Sequence, residues 1–84
     1  MPKFYVYMVR CRDGTFYTGY TNDLSRRLKL HNSGKGAKYT RGRGPVTLIY
    51  KRACKSLSGA LKTEMGIKKL SREEKKKLVK KKQP

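Results

Sequence analysis

The N-terminal part of the chain carries the pattern of a β-hairpin. Residues Phe4–Arg12 are rich in aromatic and β-branched side chains and predict a first strand. Residues Thr15–Tyr20 have the same character and predict a second strand. Asp13 and Gly14 between them are typical turn residues.

The length of the hairpin loop decides which tyrosines share a face of the sheet. A two-residue loop would put Tyr7 and Tyr17 on opposite faces. A three-residue loop with Gly14 in the left-handed conformation would pair Val9 with Tyr17 and place Tyr5, Tyr7 and Tyr17 on one face. Both loops suit the sequence, so the pattern alone leaves the register open.

Helical periodicity follows the hairpin. Thr21 or Asn22 can cap a helix over residues 23–32, because a short polar side chain there accepts an unpaired backbone N–H. Four residues fall on the stripe that would face the core, namely Leu24, Arg27, Leu28 and His31. An arginine and a histidine are therefore predicted to point where the leucines point.

The rest of the chain predicts a loop, a third strand and two further helices. Residues 32–45 contain four glycines and four Lys or Arg residues and predict a loop, and Val46–Lys51 predict a strand. Ser56 can cap a helix from Leu57 to about Leu70, whose apolar face includes Leu57, Ala60 and Leu61. The sequence Ser71-Arg72-Glu73-Glu74 is a capping box that starts a last, lysine-rich helix.

Glu64 is the one acidic residue of the second predicted helix, and it lies in the middle of that helix's apolar face. A carboxylate facing a core needs a cationic partner. Two interpretations stay open: a partly buried ion pair with Lys or Arg, or a ligand of a single divalent cation, since Mg²⁺ commonly takes one or two carboxylates and completes its shell with water and phosphate oxygens.

The charge balance points to a polyanionic partner. The 84 residues include 23 Lys plus Arg and 5 Asp plus Glu, which gives a formal charge of +18. Residues 68–82 hold nine of the basic residues, but the rest of the chain is cationic as well. Such a surface attracts nucleic acid. An anionic membrane is the competing partner, and the spread of basic residues along the whole chain disfavours it.

Other features of the composition limit the classes of protein to which the chain can belong. The chain is short enough for one domain over residues 1–84, with residues 71–84 as a C-terminal helix and tail. No apolar run is long enough to span a membrane and no signal peptide is recognisable, so a cytoplasmic location is expected. Cys11 and Cys54 are too few for a disulfide framework or a zinc site and are expected to be small core residues.

The combined motifs resemble those of the GIY-YIG nuclease family, and in particular its small stand-alone bacterial members. The resemblance rests on Tyr5-Val6-Tyr7, on Tyr17-Thr18-Gly19, on Arg27 and His31 in LSRRLKLH, and on Glu64 in LKTEMGIKKL, and it covers about residues 4–79. It implies an α+β fold in which a small three-stranded antiparallel sheet is flanked by helices.

The resemblance also implies a site. Its catalytic residues would be Tyr7, Tyr17, Arg27, His31 and Glu64. Tyr7 or Tyr17 would deprotonate or orient the attacking water, Arg27 would stabilise the phosphate, and His31 would hydrogen-bond into the network. Such a site needs both tyrosines on one face, so the resemblance favours the three-residue loop with Gly14 in the left-handed conformation. Glu64 would bind one Mg²⁺ or Mn²⁺ ion.

Nucleic acid, and DNA in particular, is the predicted partner, and no obligate protein partner is indicated. The residues predicted to bind it are Tyr5, Gly19, Lys35, Lys38, Tyr39, Arg41, Arg43, Lys68 and Lys69. Gly19 is expected to leave space beside Tyr17 for a phosphate. Two hypotheses follow: a single-metal DNA endonuclease acting on branched or damaged DNA, or a non-catalytic basic domain that binds DNA, RNA or the ribosome.

Overall fold

The central feature of the computed structural model, which describes residues 3–82, is an antiparallel sheet. Its strands are β1 (Phe4–Arg10), β2 (Phe16–Thr21) and β3 (Thr47–Cys54). The order across the sheet is β2-β1-β3, so the most apolar strand lies in the middle. Three helices flank it: α1 (Leu24–Asn32), α2 (Leu57–Lys68) and α3 (Arg72–Lys82), and the α+β prediction is confirmed.

The hairpin has the three-residue loop. The Cys11 amide donates to the Thr15 carbonyl over 2.8 Å, which leaves residues 12–14 in the loop, and Gly14 has φ +87°. Farther from the loop, Val9 pairs with Tyr17. A left-handed residue at the end of such a loop closes a bulged turn, which glycine does without steric cost. This register puts Tyr7 and Tyr17 on the same face.

The two faces of the sheet carry two separate apolar clusters. The front face, as we call it, holds Tyr7 and Val9, which pack against Leu24 and Leu28 of α1. The rear face holds Val6, Met8 and other buried residues, which pack against Ala60 and Ile67 of α2 and against α3. Because side chains alternate along β1, its odd-numbered residues lie in front and its even-numbered residues behind.

Some helix and strand ends differ from the sequence prediction. The N-cap of α1 is Asp23, which accepts a hydrogen bond from the Arg26 amide, and not Thr21 or Asn22. The Thr21 hydroxyl instead accepts from the Asp23 amide. Strand β3 begins one residue later than predicted and continues to Cys54, because Phe4 and Tyr5 pair with its far end.

The buried stripe of α2 also differs from the prediction. Ala60 and Ile67 are buried, whereas Leu57 and Leu61 are 44% and 37% exposed. Positions 60 and 67 are seven residues apart and lie on one line of the helix, and Leu61 lies about 100° away from it. The prediction that the leucines point into the core was therefore wrong, and Glu64 lies at the edge of the buried stripe.

Candidate active site

The core of the candidate site is the hydroxyl group of Tyr7. The side chain is completely buried on the front face, and its hydroxyl lies 2.7 Å from His31 Nε2. Arg27 Nε, one helical turn before His31, donates to the same oxygen over 3.4 Å. Strand β1 supplies the tyrosine. Helix α1 supplies Arg27 and His31, whose side chains point inward from the same face of the helix.

The hydrogen bonds fix which ring nitrogen of His31 carries the proton. The Thr40 hydroxyl donates to the carbonyl oxygen of Ala37 over 2.9 Å, so its oxygen must accept from His31 Nδ1, which is 2.8 Å away. A neutral imidazole has one N–H, and with Nδ1 protonated Nε2 is a bare acceptor. Tyr7 must therefore donate its proton to Nε2, and the Tyr7 oxygen accepts from Arg27.

The protonation equilibria follow the same geometry. Burial lowers the pKa of His31, and the neighbouring Arg27 charge lowers it further. The neutral tautomer is thus the form present at neutral pH. Burial also raises the pKa of Tyr7, whereas the hydrogen bond from Arg27 acts in the opposite direction. The pKa of Arg27 is raised, mainly by the hydrogen bond that Arg27 donates to Tyr7, so Arg27 stays charged.

Tyr17 joins this group through its aromatic ring. Its ring centroid lies 6.4 Å from that of Tyr7 and 5.4 Å from that of His31. Its other neighbour is Tyr39, stacked at 5.9 Å with an interplanar angle of 24°. Tyr39 in turn packs under the guanidinium of Arg43 at 4.6 Å, so the site continues into the basic loop.

Glu64, on α2, is near enough to Tyr7 for its charge to act on that hydroxyl. Its negative charge is one of the minor causes that raise the pKa of Tyr7. Its side chain is 13% exposed and makes one ion pair among residues 3–82, with Lys68 at 3.6 Å. A pair at that distance with a lysine that is half exposed contributes little free energy. The carboxylate is therefore available to another cation.

The donor set fits a single divalent cation with one protein ligand. Among residues 3–82 no cluster of three or more His, Cys, Asp or Glu side chains could hold a metal ion. A magnesium ion needs no such cluster, because water and phosphate oxygens can fill the remaining positions. The nearly buried and weakly paired carboxylate of Glu64 could provide the one ligand.

Two glycines make the close packing possible. A Cβ atom on Gly19 would lie 2.8 Å from the Tyr7 hydroxyl and 3.0 Å from the Tyr17 ring. The space that the sequence interpretation reserved for a phosphate is thus filled by the two tyrosines. A Cβ atom on Gly36 would overlap the His31 ring. Gly36 and Thr40 were not predicted as site residues, because a loop has no periodicity that marks which of its residues point inward.

The residues predicted to bind nucleic acid lie in several different places. Lys35, Lys38 and Arg41 are exposed on the loop, and Lys69 is exposed at the end of α2. Tyr5 is half-buried in β1, on the front face. Three others already have partners within the protein: Tyr39 stacks on Tyr17, Arg43 pairs with Asp13, and Lys68 pairs with Glu64.

Comparisons with known proteins agree with this architecture. A family model described as the GIY-YIG catalytic domain matches residues 3–78. A UPF0213 protein of Oceanobacillus iheyensis is 55% identical over 75 residues, which are 89% of this chain and 87% of that protein. Another UPF0213 protein, from Halobacterium salinarum, is 55% identical over 71 residues, 84% of this chain and 92% of that protein.

Two solution NMR structures have similar folds. One is the UPF0213 protein BH0048 from Bacillus halodurans, with 53% identity, a TM-score of 0.63 and coverage of 94% of this chain and 84% of that one. The other is the protein EF2693 from E. faecalis, with 43% identity, a TM-score of 0.64 and coverage of 96% and 90%. No helix within residues 3–82 has the length and apolar character to cross a membrane. The match to the catalytic-domain model spans nearly the whole chain, and the chain belongs to the GIY-YIG family.

Proposed function

We propose that this protein is a divalent-metal-dependent endonuclease that hydrolyses phosphodiester bonds of DNA. Membership of the GIY-YIG family supports nuclease activity and a nucleic-acid substrate. The observation that carries the proposal is the buried Tyr7 hydroxyl, held between the N–H of Arg27 and the bare nitrogen of His31. Branched or damaged DNA is the proposed substrate class, because phosphate contacts from a basic surface carry no sequence information.

Tyr7 is the proposed general base. Because its side chain is fully buried, the mechanism requires the site to open when DNA binds, so that the attacking water can reach the hydroxyl. Its raised pKa keeps the hydroxyl protonated at neutral pH, so it can take a proton from water only after giving up its own. His31 Nε2 is the acceptor for that proton, at 2.7 Å. As the water oxygen forms its bond to phosphorus, its proton passes to Tyr7 and the proton of Tyr7 passes to His31. The bond from phosphorus to the leaving oxygen breaks, and that oxygen takes its proton from solvent.

Arg27 has two parts in this scheme. Its Nε–H stabilises the negative charge that Tyr7 carries while the proton is in transit. The positive charge also attracts the phosphate that gains charge during attack. A cavity of about 250 Å³ beside it has room for a phosphate; its lining includes Arg26 and also the helix-capping residue Asp23.

Glu64 would hold the metal ion. When bound, a Mg²⁺ or Mn²⁺ ion would supply Lewis-acid stabilisation of the developing charge. Tyr17, whose ring lies against His31 and Tyr7, would keep these groups in place and close the site from one side.

The test is a cleavage assay with duplex, branched and single-stranded DNA in the presence of Mg²⁺ or Mn²⁺. We expect wild type to cut and Glu64→Gln to lose at least about a hundredfold in rate, as is usual when a charge-stabilising group is removed. The matched control is Glu73→Gln, which removes an acid from α3 whose side chain is 79% exposed. With DNA in excess, so that a change in affinity through its partner Lys76 has no effect, this variant should cut at the wild-type rate.

Two results would contradict the proposal. Equal cutting by wild type and Glu64→Gln would trace the activity to another site or another protein. If all variants bind DNA or RNA and none cuts, the chain is a basic nucleic-acid-binding domain without catalysis.

A further inference from the structure

A second cationic cavity lies on the rear face of the sheet, opposite the Tyr7 site. It has a volume of about 500 Å³ and opens between the hairpin end, β3 and α3. Four of its lining residues are basic and none is acidic; they are Arg10, Arg72, Lys76 and Lys80. Four positive charges around one cavity repel each other unless an anion is present.

The guanidinium of Arg72 is fixed in place at this cavity. It stacks over the ring of Phe16 at 4.5 Å from the ring centroid. Its Nη2 donates to the carbonyl oxygen of Gly14 over 2.9 Å. A guanidinium has five N–H donors, and one of them is used in this contact. The remaining donors form a fork whose orientation is already set, which lowers the entropy cost of binding a phosphate.

The rest of the cavity is apolar. Phe16, Ile49 and Val79 line it, and all three are partly buried against the rear core. A bare inorganic anion would make no use of these surfaces. The volume is within the range of pockets that bind small organic ligands, roughly 300–1,000 Å³. The lining therefore suits a ligand with an anionic group next to a flat or apolar group.

One acidic side chain competes for a cation of the cavity. Glu73 pairs with Lys76 at 3.9 Å. Its side chain is 79% exposed, so the pair contributes little free energy and a phosphate can displace it.

We propose that the rear cavity binds one nucleotide unit of a nucleic-acid strand, with its phosphate on the Arg72 and Lys76 side and its base against Phe16, Ile49 and Val79. A nucleotide combines an anionic phosphate with a flat base, and the bound nucleotide could be part of a strand or free in solution. The proposal deepens the proposed function and rests on nucleic acid being the substrate. Because the two sites lie on opposite faces of the sheet, the protein would contact two segments of nucleic acid at once, as a branched substrate allows.

The experiment is an NMR titration of the isotope-labelled protein without divalent ions. The probes are inorganic phosphate, thymidine 5′-monophosphate and a 5′-phosphorylated six-nucleotide oligothymidylate. We expect the two thymidine probes to shift the signals of Phe16, Ile49 and Val79 in a saturable way, and the oligonucleotide to bind at least about tenfold tighter than the mononucleotide.

The variant that tests the cavity is Lys76→Gln with Lys80→Gln. Its matched control is Lys75→Gln with Lys77→Gln, which removes the same charge from the same helix without touching the cavity lining. The first variant should weaken binding about tenfold, as expected for the loss of two solvent-exposed ion pairs with the phosphates. The control should change it less than twofold.

The proposal fails if both variants weaken binding equally, because general charge would then explain the affinity. It also fails if the shifts are confined to the Tyr7 face. Equal affinity for mononucleotide and oligonucleotide would show that the cavity binds a free nucleotide and would refute the proposal that it binds a nucleic-acid strand. The titration measures binding without metal, so an inactive enzyme would refute the nuclease proposal and leave this one standing.

Discussion

The hydroxyl of Thr40 is expected to set the tautomer of His31, and the substitution Thr40→Val tests this. Valine has nearly the same shape and is also β-branched, so it fills the space without opening a cavity. It removes the oxygen that accepts from His31 Nδ1 at 2.8 Å and the hydroxyl that donates to Ala37. Thr40 and His31 are each 1% exposed, so water cannot replace the lost partner of the imidazole.

The cost can be worked from these contacts. A buried donor without a partner costs about 1–3 kcal/mol. If the ring escapes by moving its proton to Nε2, Nδ1 becomes an unpaired acceptor with a similar cost. We therefore expect Thr40→Val to lower the free energy of unfolding by about 1–3 kcal/mol. The control Thr40→Ser keeps the hydroxyl and loses a methyl group, at a cost of about 1 kcal/mol.

Stability alone does not separate the two variants, so the decisive assay is nitrogen NMR of the imidazole. Protonated and bare ring nitrogens have well separated shifts, and the chain has one histidine. We expect protonated Nδ1 and bare Nε2 in wild type and Thr40→Ser, and a shift of the proton toward Nε2 in Thr40→Val. A proton on Nε2 in wild type, or an unchanged ring spectrum in Thr40→Val, would refute the reasoning.

Three further predictions concern the same sheet and its supports. In urea unfolding, Gly19→Ala should destabilise the fold by about 1–3 kcal/mol, because the added Cβ would overlap the Tyr7 hydroxyl. The control Gly66→Ala lies at an open helical position and should stabilise the fold by about 0.5–1 kcal/mol. Thr18→Val should raise stability by about 1 kcal/mol, because the buried hydroxyl of Thr18 has no hydrogen-bond partner among residues 3–82, and a loss of stability would contradict this. In a proton NMR titration, the pKa of His31 should lie below the usual imidazole value of about 6.5. The free energy of unfolding should therefore fall as the pH drops from about 6.5 toward the folded-state pKa, because the unfolded chain binds the proton first. A measured pKa at or above about 6.5 would contradict this prediction.

The sequence predicted most of the elements because local rules determine them. Ser56 caps α2 and Ser71 with Glu74 forms the capping box of α3, as their spacing indicated. The inward direction of Arg27 and His31 follows from helical periodicity alone. The hairpin register could not be chosen from composition, because both loop lengths suited Asp13-Gly14. The family resemblance favoured the three-residue loop, and the structure has that loop.

The loop that completes the site could not be predicted. Thr40 and Gly36 reach His31 because the chain folds back after α1, and no sequence period describes that path. The charge pattern was similarly incomplete, since a count of basic residues does not reveal which are paired. Arg43 neutralises Asp13 and stacks on Tyr39, whereas the rear-face arginines line a cavity without acids.

The scarcity of acidic residues has a consequence for how the candidate site handles protons. Glu64 is the one carboxylate that acts on Tyr7 among residues 3–82, so the proposed mechanism has no second acid there to accept the proton of the attacking water. The only described acceptor within hydrogen-bond distance of Tyr7 is the bare nitrogen of His31, and its availability depends on a neutral hydroxyl in a loop. The pKa of His31, lowered by burial and by Arg27, makes it a weak base. In the proposed mechanism the lowered pKa also keeps this nitrogen unprotonated before each attack, so His31 can accept a proton, although a weaker base gives a smaller driving force for the transfer.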